Sequence, residues 1–273
     1  MKKNFVHAPL SYILVLTFVL LFAFSSCGTH HADSQALETD SLSYTKYTKT
    51  LDVSYKVECP IGGNKALLRS IREFISESLG DGYAGDLDEG DSLVAYYAKA
   101  DVDSLDGLVK EYEDAAKEYG DSEVPQLLSH VTVSKAYETD NLVTYIITTE
   151  SYTGGAHGGH TEFGATFRKS DGRKFGSDMF VNSYADGLTS AMKQGLMRYF
   201  KVSNEAQLRE NLMDVEPYDI PMPQYPPYLT SEGLTFTYQE YEIAAYAAGR
   251  PTFTIPLSQI KPQLIKAFAN EVK

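Results

Sequence analysis

The chain has 273 residues, 43% of them hydrophobic and 22% charged, which is an ordinary globular composition with room for one large domain or two small ones. Disordered and collagen-like classes are excluded. Lys and Arg total 24 against 37 Asp and Glu, a formal charge of −13, so a phosphate backbone is repelled and nucleic acid is excluded as a partner.

The chain opens with Lys2 and Lys3, followed by an apolar run over residues 13–24 that only Thr17 interrupts. A membrane span wants about 20 apolar residues, whereas a secretory leader has a positive end, a core of about 7 to 15 and small residues at the cut. Ser25 and Ser26 are those small residues, and Cys27-Gly28 follow at once. The segment resembles a bacterial lipoprotein signal, in which Cys27 becomes the acylated first residue. The alternative is a plain secretory signal with Cys27 incidental. The lipoprotein reading makes 1–26 the leader and 27–43 a lipidated Cys27 with a flexible tether. Acyl chains such as palmitate then hold the body on a membrane of the bacterial cell envelope, the outer membrane, on its periplasmic or surface face. Losing residues 1–26 removes two lysines and no acid, so −13 becomes −15. With Cys27 acylated, Cys59 has no partner, and it reads as a small buried hydrophobe.

Folding is expected from about Tyr44. Residues 50–58 alternate, with Leu51, Val53, Tyr55 and Val57 on one side of a strand. Asn64 caps a helix through Leu79, ended by Gly80. Residues 81–92 carry five carboxylates and read as a solvated loop in which Asp86, Asp88 and Asp91 only superficially resemble a calcium loop. A helix is expected over 104–119, then a hairpin over 127–137 and 142–150 turning at Asp140-Asn141. A strand over 162–169, a turn over 170–173 and helices over 184–200 and 205–213 follow. Five prolines between Pro217 and Pro227 forbid regular structure. Strands at 234–238 and 252–255 and a terminal helix over 257–272 complete an α+β pattern: an antiparallel sheet with packed helices in two small, closely associated domains, 44–150 and 151–273.

Two segments stand out. The first is Tyr152-Thr153-Gly154-Gly155-Ala156-His157-Gly158-Gly159-His160, where glycines permit tight turning and close backbone approach. It lacks the lysine and Ser/Thr of a phosphate-cradling loop. His157, His160 and Glu162 are metal-capable, but zinc needs at least three converging ligands, and a structural turn with His157 hydrogen-bonded inside it competes with that reading. No metal and no cofactor is assigned. The second segment is Tyr238-Gln239-Glu240-Tyr241-Glu242-Ile243-Ala244-Ala245-Tyr246-Ala247-Ala248-Gly249-Arg250-Pro251, small and aromatic residues suited to a close-packed connection.

Together these segments carry a resemblance to the extracytoplasmic domain of unknown function in RsiV-type anti-sigma factors, the region that recognises lysozyme. Residues 44–150 then resemble its usual partner domain, also found in PdaC-type peptidoglycan deacetylases. Ala245 and Arg250 stand where the pattern usually has proline. The resemblance implies a binding region in lipoprotein form, with Tyr152, Gly154, Gly155, His157, Gly158 and His160 as binding-loop residues and Tyr241, Glu242, Tyr246 and Gly249 as a structural motif. No catalytic set is assembled, so the expectation is a lipid-anchored envelope binding protein rather than an enzyme. Its partners are the membrane and a ligand such as the cationic protein lysozyme or peptidoglycan fragments. The alternatives are an envelope hydrolase using His157, His160 and Glu162, and a structural envelope component. The sequence assigns no oligomeric state.

Overall fold

A computed structural model describes residues 36–120 and 123–272. The leader, Cys27 and the tether up to residue 35 lie outside the described residues. Among those residues no helix is long and apolar enough to cross a membrane.

Strand β1 spans Thr39–Tyr47 and pairs antiparallel with β2, Leu51–Pro60. Ordered structure therefore begins ahead of Tyr44, because Leu37 is buried and residues 39–43, expected in the tether, have a full register against β2. Helix α1, Lys65–Leu79, starts where Asn64 accepts from the Leu67 N–H and stops at Gly80, as its sequence implies. Helix α2 runs from Gly90 to Tyr119, far longer than the expected 104–119. The carboxylates and glycines of residues 81–92 conceal its start. Leu93, Val94, Tyr97, Ala98 and Val102 extend the stripe of Leu105 and Val109 backwards, and a Cβ on Gly90 would press into Leu42 and Cys59. Of the acidic stretch, Asp86 caps the Asp88 N–H, Asp88 pairs with Arg72, and Asp91 sits in the first turn of α2.

The α1–α2 pair is the crossover that lets β3, Leu127–Glu138, lie parallel to β2. The remaining pairs of the six-stranded sheet are antiparallel: β4 (Leu142–Tyr152), β5 (Gly159–Arg168) and the short β6 (Lys174–Phe175) follow in order. The expected boundary at 150/151 thus falls inside β4, and the sheet runs on across it. The described residues cluster as one compact unit with two hydrophobic clusters. The first lies between α1, α2 and the sheet, and it buries Cys59 as expected, with Phe163 and Phe167 from β5.

The second cluster is built by α3, Asp186–Phe200, against a three-stranded sheet of β7 (Tyr228–Thr230), β8 (Gly233–Thr237) and β9 (Thr252–Ile255). Strand β7 was hidden by the neighbouring prolines. Helix α4 covers only Glu205–Arg209 of the expected 205–213. The terminal helix is broken into α5 (Leu257–Ile260), a 3-10 turn (Lys261–Gln263) and α6 (Lys266–Ala269). Pro262 removes one donor, and Leu264 is pulled extended to bridge Phe180 while Ile265 N–H bonds Met179 O.

Candidate functional site

The glycine-rich loop joins β4 to β5 and is held in one shape. Gly154 and Gly155 have φ of 99° and 93°, where a side chain is strained. Tyr112 of α2 donates to Thr153 O at 2.9 Å, and a Cβ on Gly154 would stand 1.8 Å from the Tyr112 hydroxyl. Tyr152 Oη closes the turn on Gly155 O at 3.1 Å, and a Cβ on Gly158 would lie 2.6 Å from Ser151 O.

The frame presents His157 at the surface. Its Nδ1–H donates to Gly158 O at 2.9 Å, which leaves Nε2 to accept from Tyr241 Oη at 3.2 Å. The imidazole stacks on Tyr246 with 3.7 Å between ring centroids and 18° between planes, and Tyr241 packs on Tyr246 at 5.7 Å. The two sequence motifs, some eighty residues apart, therefore meet in one aromatic cluster. The expected turn with His157 bonded inside it is thus an exposed ring bonded at both nitrogens.

The second segment is equally fixed. Tyr241 adopts φ of 64°, the left-handed region that an L residue visits at a cost. Glu242 accepts from the N–H groups of Gln239 at 2.7 Å and Gln224 at 2.6 Å. Tyr199 Oη donates to Ala248 O at 2.6 Å beside Gly249, whose φ is 70°. Ala245 has φ of −63° and ψ of 152°, compatible with the proline that the resemblance expects there.

Between the two lies the edge of β5. The Gln239 side chain accepts from Glu162 N–H at 3.2 Å and donates to Glu162 O at 2.9 Å, so its amide takes the place of a neighbouring strand. Glu240 accepts from His160 N–H at 3.2 Å. The Glu162 carboxylate accepts from Tyr228 Oη at 3.0 Å and faces Arg250 Nη2 at 3.5 Å. Burial, then the adjacent Glu162 charge, pushes the Tyr228 phenol well above its usual range. His160 Nε2 and Arg250 Nη1 are buried without a hydrogen-bond partner.

His157, His160 and Glu162 thus do not share a site: His157 lies in the aromatic stack, His160 is bonded through its backbone N–H to Glu240, and the Glu162 carboxylate meets Tyr228 and Arg250. Among the described residues no group of three or more His, Cys, Asp and Glu is placed to hold a metal ion. The sequence reading missed Tyr112 and Tyr228 as supports, and it held Gln239 within the second segment without a role. Only Arg250 left a signal, as a departure from the family pattern, and it lies against Glu162.

The class defined by this architecture is an α+β body in which a mixed six-stranded sheet, helices on one face, carries a smaller three-stranded sheet and α3. Residues 177–258 match the family described as "Protein of unknown function (DUF3298)". The match takes in the 241–249 segment and stops short of the glycine-rich loop. Over 88% of this chain and 98% of the other, the structure is similar to that of a DUF3298 family member from Bacteroides fragilis, with a TM-score of 0.75 and 23% identity. A DUF3298 family protein from Pseudomonas aeruginosa is similar over 85% of this chain and 96% of its own, with a TM-score of 0.57 and 16% identity. At these identities the likeness is one of fold. No curated protein matches the chain.

Proposed function

We propose that the protein is a lipid-anchored binding module of the bacterial cell envelope, carried at Cys27, in which the surface of His157, Tyr241 and Tyr246 makes the contact. The observation that carries this reading is the stack of the exposed His157 on the half-buried Tyr246, held by a glycine-turned loop that Tyr112 and Tyr152 bond in place. Flat aromatic groups fixed in advance lose little conformational entropy on binding and are frequent anchors of recognition surfaces. The groups that a hydrolase would use do not converge: His157 is spent in the aromatic stack and the Glu162 carboxylate on Tyr228 and Arg250, which favours binding over acid-base chemistry.

Charge points to the kind of partner. A body of net charge −15 after leader removal attracts a cationic protein, and lysozyme, the ligand implied by the RsiV-type resemblance, is of that kind. Titrating the full-length chain with lysozyme by calorimetry is expected to give salt-sensitive binding in the micromolar range. Replacing His157 or Tyr246 by Ala is expected to weaken it by about tenfold, or about 1.4 kcal/mol. Absence of binding at low salt removes lysozyme as the ligand, and binding that both variants leave intact removes this surface as the contact.

A further inference from the structure

Helix α3 has two faces of different character. Leu188, Met192 and Leu196 pack into the second core. Asp186, Thr189, Ser190 and Lys193 fall at i, i+3, i+4 and i+7 and line a cleft of about 300 Å³ on the other side. The segment 217–220 also lines it, with Pro217 and Ile220 buried and Tyr218 and Asp219 exposed. Tyr184, just ahead of α3, forms the rim.

Tyr184 and Tyr218 are each 76% exposed, more than any other large hydrophobic side chain among the described residues. Among those residues their hydroxyls have no hydrogen-bond partner, nor have the carboxylates of Asp186 and Asp219. Lys193 is neutralised by Glu205. The cleft thus combines two free aromatic faces, two free carboxylates and two side-chain hydroxyls, and its volume is at the low end of the range of about 300 to 1,000 Å³ for small-molecule sites.

We infer that this cleft binds an uncharged saccharide of one or two pyranose rings, with Tyr184 and Tyr218 against the sugar faces and Asp186 and Asp219 accepting from its hydroxyls. A pyranose presents an apolar C–H face that suits a phenol ring and, at right angles to it, vicinal hydroxyls that donate to carboxylate oxygens. The unpaired acids disfavour phosphates and uronic acids, and the polar stripe of α3 disfavours an acyl chain. The inference uses no residue of the 152–160 loop or the 241–249 segment, so it stands apart from the contact proposed above.

The test is titration of the full-length chain with N,N′-diacetylchitobiose and with cellobiose, followed by saturation-transfer NMR and calorimetry. Saturable binding of at least one sugar below about 10 mM is expected, with Tyr184→Ala and Tyr218→Ala each weakening it about tenfold and Asp219→Asn about threefold or more. All three side chains are exposed, so the urea midpoint is expected to stay at the wild-type value. His157→Ala is expected to leave sugar binding unchanged, which separates failure here from failure of the lysozyme surface. No saturation by either sugar, retention of binding in both Tyr variants, or equal affinity for digalacturonate overturns the inference. So does protection of the two tyrosines by a protein partner without any sugar response.

Discussion

Gly154 concentrates the constraints on the glycine-rich loop, because it combines a φ of 99° with a missing Cβ that would overlap the Tyr112 hydroxyl. Gly154→Ala is expected to cost about 1 to 3 kcal/mol through backbone strain and displacement of Tyr112. Urea unfolding measures the cost, and loss of nuclear Overhauser contacts between His157 and Tyr246 reports the loop. An unchanged midpoint with the contacts intact would mean that the turn is not held by this approach. The run of glycines made this loop legible from sequence, and the special backbone they permit is indeed used. The stacking of His157 on Tyr246 was not legible, because it depends on two segments some eighty residues apart meeting across the β5 edge, and no local pattern encodes that register.

Elements behaved similarly. Helix α1 could be read because cap, apolar stripe and terminating glycine all agree, whereas α2 could not, since Gly90 and the surrounding carboxylates look like a loop when the packing against Leu42 and Cys59 is unseen. Helix α3 carries the inverse case. Glycine is a poor helix former, yet at the buried Gly195 the backbone lies so close to β9 that a Cβ would be 2.1 Å from the Phe253 ring. Alanine at an ordinary helical site gains about 1 kcal/mol over glycine. At this site overpacking of about 1 to 3 kcal/mol opposes that gain. Gly195→Ala is therefore expected to lower stability, measured as a reduced urea midpoint with unchanged slope. A raised midpoint would show that Phe253 yields freely.

At the scale of the molecule, Glu138 ties the segment ahead of β1 to the sheet. It accepts from Leu37 N–H at 2.7 Å, Lys135 Nζ at 2.9 Å and Lys169 Nζ at 2.6 Å. Burial would raise its pKa, but the hydrogen bonds from Lys169, Lys135 and Leu37 outweigh it and hold the carboxyl below the ordinary range. A depressed folded-state value means that its stabilisation is complete above the ordinary carboxylate pKa and lost as pH falls through the folded value. Glu138→Gln is expected to cost about 1.5 to 3 kcal/mol at neutral pH, the worth of hydrogen bonds to a charged group. Thermal melts of both proteins should converge on acidification below about pH 4. A gap that persists in acid would assign the loss to shape rather than charge. The fold class was legible because mixed periods of two and 3.6 occur without strict alternation. The extent of the body was not, since the polar residues 39–43 become a strand only when β2 is beside them.

The Gln239 amide has a consequence for the behaviour of many copies in solution. An open strand border is a template on which another polypeptide can lengthen the ladder, and here a side chain occupies the Glu162 positions that such an intruder would need. The far border, β1, carries Asp40 and Lys46 along its length. Both borders thereby disfavour ladder growth from one copy of the chain to the next.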